Sequence, residues 1–577
     1  MLALERNTKA SACTRIFNVA LTALIAGMLG CGSGGTIPAA TSGNTGTTVS
    51  TTALTSSASS VVSGTSLTLT ATVSPSAASG TVTFYDSSTS LGTGTLSSGT
   101  ATLTASLGTT GTHTLTAMYA GSATYASSTS NSVTVTVTAA TTSGSCGYQD
   151  STNSAYNSAV DAYTSGTNTL SSATVAASGT DESAVCAENA GTTLTLTNPT
   201  ITSSSNTAYQ NDSSFYGLDA AVLAYGAGSA ASTGAVMNIT GGTVTTTGTF
   251  ASGVYAAAAT VNISGTTINT SGTGGHGLYC AEGAVMNITN VTATTSAQTG
   301  SAVATDRGGC TITINGGTYT TTGAKSAGLY STGSVTANNG TFSSGNAPVA
   351  VIDGSNSITT NSSSLTGANG DGRGVFLFSS AASTATANTG YFTMSGGSLT
   401  YSCTATACSS LSAASGQNSP ATMFAVTNTT AVFSLTNVTL TNNMSTFLEA
   451  EALTNGASGS NGGLVTLTAS GTVLPGNVIL DSISTVSLIL SSSSSLTGTV
   501  NAAKSGGTMG LTLDSTSTWT VTGTSYLTTL SDSAGISGTS VSNIIGNGNN
   551  VYYASASNSS LGGLTYSLSG GGYLVPY

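Results

Sequence analysis

The chain has 577 residues, of which 38% are hydrophobic but only 4% are charged, and its formal net charge is −11. Because ordinary cytosolic enzymes contain about 25% charged residues, this composition excludes that class of protein. Val, Ile, Leu and Thr recur at regular intervals, which argues against a disordered chain that has too few apolar residues to bury. The composition therefore predicts an exported, all-β chain with more than one folded unit.

The N-terminus predicts a lipoprotein-type signal peptide over residues 1–30. Three basic residues precede or border an apolar run, Ile16 to Leu29, which is too short and too asymmetrically flanked for a stable membrane span. The segment Met28-Leu29-Gly30-Cys31 resembles a bacterial lipobox, although Met28 and Leu29 depart from the usual residues. The resemblance implies that Cys31 is lipidated and that lipid alone holds the chain at a membrane. Secretion without a lipid is the alternative.

Charge limits the partners of the mature chain. Cleavage after residue 30 would remove three of the seven Lys and Arg residues and one of the eighteen Asp and Glu residues, which leaves 4 − 17 = −13. Four basic groups cannot neutralise a phosphate backbone, so the sequence excludes nucleic acid as a partner. We also expect no cofactor.

A spacer follows the signal peptide. Residues 31–50 are rich in Gly, Ser and Thr and predict a flexible linker. Residues 51–138 alternate apolar and polar positions between regular turns, which is typical of a β-sandwich. The segments GTVTFYD, LGTGTL and THTLTAMYAG resemble the recurring pattern of a bacterial Ig-like domain of group 3. Such domains are usually spacers in surface proteins, so the resemblance implies a spacer here and a structural role for His113.

Six cysteines remain if Cys31 is lipidated and the signal peptide is removed. An even number in an exported chain predicts disulfides, and we expect neighbours in sequence to pair, although sequence cannot establish the connectivity. We expect no metal site, because no CxxC occurs and only His276 lies near any of these residues in sequence. The disulfide candidates are Cys146, Cys186, Cys280, Cys310, Cys403 and Cys408.

Residues 145–577 contain a repeat of about 24 residues, lengthened by insertions at three places. Its units open with segments such as MNITGGTVT at Met237 and MNITNVTAT at Met286, and a second strand such as SAGLYST at Ser326 follows. Short strands at this period predict a long right-handed parallel β-helix with C-terminal capping coils. The piece STWTVTG near the end resembles the closing coils of autotransporter passengers and related pectin-lyase-like surface adhesins.

A β-helix stacks equivalent positions into columns, where a catalytic site could form. Counting along the second strand of each unit places Glu282 and Asp306 in one column of neighbouring coils, with Arg307 beside them. Two carboxylates about 5 Å apart have the spacing of a retaining glycosidase, or could begin a Ca²⁺ site. The alternative, which we favour, is that the column marks a turn, where Asp, Asn, Ser and Gly are common.

Outward hydroxyls form a second candidate site. In most units two of them flank an inward apolar residue, as Thr243 and Thr245 do. Stacked Thr-x-Thr strands would give a lattice with spacings of about 6.7 Å and about 4.8 Å, which resembles β-helical ice-binding proteins. The alternative is that Thr is a good uncharged strand former, and the insertions near Leu365 and Leu440 are expected to break the plane. Outward Asn residues are expected to stack as an amide ladder: Asn238, Asn262 and Asn287.

These features together predict a lipid-anchored, non-enzymatic β-helical surface protein, an adhesin or an envelope-associated module that binds carbohydrate or protein. The expected partners are glycans or proteins on host or neighbouring cells. The expected location is the outer membrane or cell surface, and otherwise the extracellular space. Specificity is expected in the irregular insertions Ser204 to Gly217 and Tyr401 to Pro420. A β-helical polysaccharide lyase or glycoside hydrolase and an ice-binding protein are the alternatives.

Overall fold

A computed structural model describes residues 46–62, 66–109, 111–138, 144–150, 155–207, 209–368, 372–403, 421–453 and 455–577. The predicted signal peptide, Cys31 and most of the linker lie outside the described residues, as do Cys408 and most of the insertion from Tyr401 to Pro420. The described part is all-β apart from one α-helix and four short 3-10 helices. These helices are Gln210–Tyr216 and then Ala231–Thr233, Ala385–Ala387, Ser555–Ser557 and Ser559–Leu561.

The N-terminal unit is a β-sandwich whose two sheets share one hydrophobic core. Strand Ser66–Ser74 buries alternate residues, as its period-two sequence predicts. The buried His113 has its Nδ1 2.6 Å from Asp86 Oδ2 and its Nε2 2.7 Å from the Thr109 carbonyl, which fits a structural role. One sheet contains Thr51–Ser56, Ser66–Ser74 and Thr100–Ser106, and the other contains Ser60–Val62, Thr81–Asp86, Thr89–Thr95, Gly111–Tyr119, Ser128–Thr129 and Val133–Thr138.

The second unit is a parallel β-helix with three faces, here called A, B and C. From Ala155 to Asn442 each coil contributes one short strand to each face, and each of these strands pairs in parallel with the equivalent strand of the next coil. The strands of face A are Gly144–Asp150, Ala155–Tyr163, Glu182–Glu188, Val222–Tyr225, Val254–Ala257, Leu278–Ala281, Val303–Thr305, Leu329–Ser331, Ala350–Asp353, Arg373–Phe378, Thr422–Thr427, Thr446–Ala450 and Asn477–Leu480.

Faces B and C carry the repeated segments that open each sequence unit. The strands of face B are Thr167–Ser171, Thr193–Thr197, Val236–Thr240, Thr260–Ser264, Ala284–Thr289, Cys310–Asn315, Ser334–Asn338, Ser357–Asn361, Thr389–Ser395, Thr429–Thr436, Gly463–Ser470, Thr485–Ser491, Thr508–Leu513 and Thr529–Ser531. The strands of face C are Thr174–Ala177, Thr200–Ser203, Thr243–Thr246, Thr267–Thr270, Thr292–Thr295, Thr318–Thr321, Thr341–Ser344, Ser364–Ala368, Ser398–Ser402 and Thr439–Asn442.

Alternation along the strands builds one continuous core inside the three faces. On face B, Met237 and Met286 lie two coils apart with Val261 between them, and both methionines are fully buried. The outward Asn ladder is present, because the Asn262 side chain donates to Asn238 Oδ1 at 2.9 Å and Asn287 donates to Asn262 Oδ1 at 2.8 Å. The repeated residues therefore fill equivalent positions of the scaffold.

The corner between faces B and C explains the Asn, Gly and Ser residues in the middle of each repeat. In twelve successive coils the first residue after the face B strand has φ between +47° and +72°, a left-handed region that Gly and Asn tolerate best. These residues are Ser172, Asn198, Gly241, Gly265, Asn290, Gly316, Asn339, Ser362, Gly396, Asn437, Gly471 and Ser492.

Antiparallel pairs lie at both ends of the helix. At the N-terminal end, Gly144–Asp150 pairs antiparallel with Ala155–Tyr163. Nine strands between Val473 and Pro576 form a sheet of their own, and its final two pair antiparallel. They are Val473–Pro475, Ser495–Gly498, Thr518–Val521, Ser525–Leu527, Ile536–Ser537, Ser540–Ile545, Val551–Tyr553, Tyr566–Ser569 and Tyr573–Pro576.

Candidate functional site

Between residues 144 and 453, the described charged residues are confined to one side of the β-helix. No strand of face B or face C contains Asp, Glu, Lys or Arg. Between residues 144 and 453, every described charged residue lies on a face A strand or in a segment that leads into or out of one. Three of the four basic residues that follow Cys31 border face A: Arg307, Lys325 and Arg373. Face A is therefore where charge-dependent recognition can occur.

An outward column of aromatic and aliphatic side chains runs along face A. Strand register aligns its members across eight consecutive coils: Leu223, Tyr255, Tyr279, Ala304, Tyr330, Val351, Phe376 and Ala425. Outward positions of a strand on a soluble protein are normally polar, so a continuous apolar column indicates a covered surface or a binding surface.

The N-terminal part of this column is covered by the chain itself. Residues 209–217, here called the cap, include the helix Gln210–Tyr216 and lie over Tyr255 and Tyr279. The Tyr255 hydroxyl donates to the Ser214 carbonyl, and Tyr255 and Tyr279 meet edge to face at 5.0 Å. Both rings are buried. The insertion from Ser204 to Gly217, which we expected to carry specificity, thus closes one part of face A.

The column becomes accessible beyond the cap, where a groove of about 180 Å³ opens. Phe376 and Phe378 lie two residues apart on one strand, so both point outward, and their rings stack at 4.7 Å with planes 5° apart. Both rings and Tyr330 are half-buried. The groove is lined by Lys325, Ala327, Tyr330, Asn346, Ala347, Pro348, Val351, Phe376 and Phe378.

Polar groups border the aromatic floor on two sides. On one side, the Asp353 carboxylate accepts hydrogen bonds from Tyr330 Oη at 3.3 Å and from Ser380, N at 2.8 Å and Oγ at 2.6 Å. Burial, with the nearby Asp353 charge, raises the pKa of Tyr330 well above its usual value, so its hydroxyl stays a donor. On the other side, Lys325 and Asn346 are exposed. The groove thus combines flat apolar rings with separate donors and acceptors.

The catalytic candidates do not share one column, and that expectation was wrong. Cys280 lies opposite Thr305, and the Glu282 amide donates to the Arg307 carbonyl at 2.8 Å, so Glu282 lies beyond Asp306 rather than beside it. The count along the sequence failed because it started from Gly277 and Ser301, whereas Leu278 lies opposite Val303 and Gly277 therefore lies opposite Ala302. Glu282 occupies a left-handed turn with φ +54°, as the equivalent Ala258 does with φ +48°.

Asp306 and Arg307 make contacts within the protein. The Asp306 carboxylate accepts from the Tyr279 hydroxyl and, at 2.8 Å, from the Arg307 amide. Burial raises the pKa of Asp306, and the hydrogen bond from Tyr279 opposes that shift. The Arg307 guanidinium lies 3.6 Å from the ring centroid of Phe215 in the cap. These contacts fasten the cap to face A.

Face C carries two columns of outward residues, and all but Ala176 and Asn269 have a hydroxyl. Ten strands stack in continuous register, so the expectation that insertions near Leu365 and Leu440 break the plane was wrong. The insertions leave the helix at corners that flank face A. One column is Thr174, Thr200, Thr243, Thr267, Thr292, Thr318, Thr341, Ser364, Ser398 and Thr439, and the other is Ala176, Thr202, Thr245, Asn269, Thr294, Thr320, Ser343, Thr366, Thr400 and Thr441.

Two disulfides join neighbours in sequence. Cys146 is bonded to Cys186 with a Cα–Cα distance of 6.1 Å, and Cys280 is bonded to Cys310 with a Cα–Cα distance of 6.2 Å. Cys403 is also disulfide-bonded, and its expected partner Cys408 lies outside the described residues. Among the residues described, no three His, Cys, Asp or Glu side chains form a metal-binding group.

Comparison with known families bears on the N-terminal β-sandwich. Residues 54–138 match the bacterial Ig-like domain (group 3). The Ig-like domain accounts for the sandwich, whereas the β-helix rests on its own geometry. No curated protein and no solved structure matches the chain at a significant level. Within the described residues, no helix is long and apolar enough to cross a membrane.

Sequence reasoning found the strands of face A but missed the groove on them. The segments SAGLYST, APVAVID and GRGVFLF were recognised as second strands. Their outward residues Tyr330, Val351, Phe376 and Phe378 carried a usable signal, because apolar residues at alternate positions on both faces of a strand mean that both faces are covered or bind something.

Proposed function

We propose that the chain is an exported, non-enzymatic surface protein that binds carbohydrate in the face A groove. The stacked pair Phe376 and Phe378 carries this proposal. A sugar ring has a face of C–H groups that packs on an aromatic ring, and the stacked pair offers it the outer face of Phe378, because the Arg373 guanidinium lies 4.5 Å from the ring centroid of Phe376. The hydroxyls of the sugar need separate donors and acceptors at the edge. Asn346 and Lys325 supply these in the lining of the groove, and the Asp353 carboxylate lies beside it, hydrogen-bonded to the Tyr330 hydroxyl.

The other features support display outside the cell. Disulfides form and persist in oxidising compartments, and the Ig-like domain is of a type found as a spacer. Anchoring through a lipid on Cys31 belongs to this proposal, with the linker and the Ig-like domain between the anchor and the β-helix. Metabolic labelling with an alkyne fatty acid tests the anchor: label should appear on the wild type and be lost in Cys31→Ser.

Binding to a glycan array tests the groove. We expect the double variant Phe376→Ala/Phe378→Ala to lose at least about tenfold in affinity, which corresponds to about 1.4 kcal/mol. The matched control is Tyr391→Ala, since Tyr391 is an exposed outward aromatic residue on face B. An unchanged melting temperature would show that the double variant is folded. Equal binding by the wild type and the double variant would sink the proposal.

A second candidate function, ice binding by face C, is favoured by the continuous register of its ten strands. A flat face with Thr hydroxyls at about 6.7 Å and about 4.8 Å intervals and no charged residue fits a crystalline water surface. Thermal hysteresis of the purified protein tests it. Thr318→Tyr on face C should abolish hysteresis, whereas Thr311→Tyr on face B of the same coil should leave it unchanged. Absence of hysteresis in the wild type would end this candidate.

A further inference from the structure

Two buried carboxylates lie at the corner where successive coils pass from face C to face A. Asp181 directly precedes the strand Glu182–Glu188, and Asp219 precedes the neighbouring strand Val222–Tyr225. Asp219 is fully buried and Asp181 is 5% exposed. Asp181 Oδ1 and Asp219 Oδ2 have no hydrogen-bond partner among the described residues. Buried charge without a partner is expensive, so these oxygens need an explanation.

The oxygens around Asp219 exceed the donors available to them. Ser213 Oγ lies 3.1 Å from the Leu218 carbonyl, 3.1 Å from the Phe250 carbonyl and 3.2 Å from Asp219 Oδ1. One hydroxyl has a single proton and can satisfy only one of these three acceptors at a time. The described backbone hydrogen bonds of turns and loops give neither carbonyl another donor. The corner is therefore a cluster of oxygen atoms that lacks positive charge.

Electrostatics agree with this description. Burial raises the pKa of Asp219 well above its usual value, and the neighbouring Asp181 charge raises it further. Burial also raises the pKa of Asp181, although the Thr207 hydroxyl opposes the shift. In the described part of the chain neither carboxylate forms an ion pair with Lys, Arg or His.

We propose that this corner is a Ca²⁺ site formed by the Asp181 and Asp219 carboxylates with the Leu218 and Phe250 carbonyls and the Ser213 hydroxyl. Ca²⁺ takes six to eight oxygen ligands in flexible geometry, and it accepts carboxylate, carbonyl, hydroxyl and water oxygens together. Two carboxylates match its charge of +2. Mg²⁺ fits less well, because it demands near-ideal octahedral geometry and keeps several waters.

The cation would fasten the cap to the helix. Its ligands come from three successive coils, since Asp181, Asp219 and Phe250 each lie just before a face A strand of their own coil. Ser213 lies on the cap helix, which covers Tyr255 and Tyr279. Removing the cation would leave two like charges under the cap and loosen it.

Thermal unfolding of the full chain after chelation and dialysis tests the proposal. CaCl₂ at millimolar concentration should raise the melting temperature by at least about 2 °C over NaCl of equal ionic strength. Equilibrium dialysis with ⁴⁵Ca²⁺ should give one bound ion per chain. MgCl₂ should have a smaller effect.

The variant Asp181→Asn/Asp219→Asn separates a cation site from a structural acid pair. It should bind no Ca²⁺ and keep the same melting temperature with and without CaCl₂, while being at least as stable as the chelated wild type because two buried charges are gone. The matched control is Asp532→Asn, which alters a buried carboxylate in the C-terminal coils and should keep the response to Ca²⁺.

Either of two results would overturn the site. The first is that the wild type binds no ⁴⁵Ca²⁺ and that CaCl₂ does not change its melting temperature, which would mean that Asp181 and Asp219 share a proton. The other is an equal response of the wild type and Asp181→Asn/Asp219→Asn. An equal shift with MgCl₂ would overturn the choice of Ca²⁺. None of these results depends on glycan binding in the groove.

Discussion

Single residues at the corner between faces B and C determine which neighbours can stack on them. Asn290 adopts the left-handed conformation in one coil, and Gly316 adopts it in the next. A Cβ on Gly316 would collide with Asn290 Oδ1, and the pairs Asn198 with Gly241 and Asn437 with Gly471 repeat this arrangement. In these three pairs the Asn amide occupies the space where a side chain of the next coil would begin. This explains why MNITN is followed by ITINGG rather than by an exact copy.

Gly316→Ala should lower the melting temperature, because the new Cβ collides with Asn290 and is strained at a positive φ. Together these effects should lower the free energy of unfolding by about 1 kcal/mol or more. Asn290→Gly removes the collision alone. The double variant Asn290→Gly/Gly316→Ala should therefore recover part of the loss in thermal unfolding experiments. Equal losses for Gly316→Ala in both backgrounds would contradict the pairing.

The buried ring of His276 should make the folding stability depend on pH. Burial lowers its pKa to about 4, and its Nδ1 accepts the Ser301 amide at 3.0 Å. The folded state therefore favours the neutral ring. The resulting contribution to the free energy of unfolding is fully present above about pH 6.5 and is lost as the pH falls toward 4, because the unfolded chain takes up the proton first. The contribution amounts to about 3 kcal/mol.

Thermal unfolding of the wild type should thus show a loss of stability between pH 6.5 and pH 4 that His276→Gln lacks. Comparing the two proteins cancels the buried carboxyls, whose raised pKa values act in the opposite direction. Parallel curves for the two proteins over this range would contradict the assignment.

The inward residues of faces B and C were predictable from the sequence because they repeat. Met237, Met286 and the Asn ladder follow from a period of about 24 residues and from alternation along a strand. The relation between Glu282 and Asp306 was mispredicted, because the count began at Ser301 instead of aligning the buried residues Leu278 and Val303, which are paired in the structure. The groove at Phe376 could not be predicted, because its exposure depends on where the cap stops covering face A.

The three strands of each coil differ in how regularly they repeat along the helix. Faces B and C repeat closely because their outward residues are uncharged and their stacking is regular. Face A varies because the segments that enter and leave it carry the insertions. The sequence predicted that insertions exist but placed them in the plane of face C. Since the corners can lengthen without disturbing the register of adjacent strands, face C stays flat.

The disulfide between Cys280 and Cys310 links a face A strand covalently to the face B strand of the next coil. Closing a loop of this length, with the cysteines 30 residues apart, should contribute about 3–4 kcal/mol by restricting the unfolded chain. Cys280→Ala/Cys310→Ala should lower the melting temperature, and a reducing agent should lower that of the wild type similarly. A reduced wild type with unchanged stability would contradict this role.

The whole molecule joins an Ig-like domain to a β-helix with one charged, aromatic side. The period and the strand alternation predicted both units, and the match over residues 54–138 agrees with the first. The surfaces left for recognition are the groove of face A and the flat face C.

Hydroxyl-radical footprinting with mass spectrometry tests most directly whether carbohydrate binds over Phe376 and Phe378. With the best glycan from the array bound, we predict reduced oxidation of Tyr330, Phe376 and Phe378 and unchanged oxidation of Tyr391 on face B. Protection of Tyr391 instead, or a bound glycan that leaves the groove residues unprotected, would contradict the account.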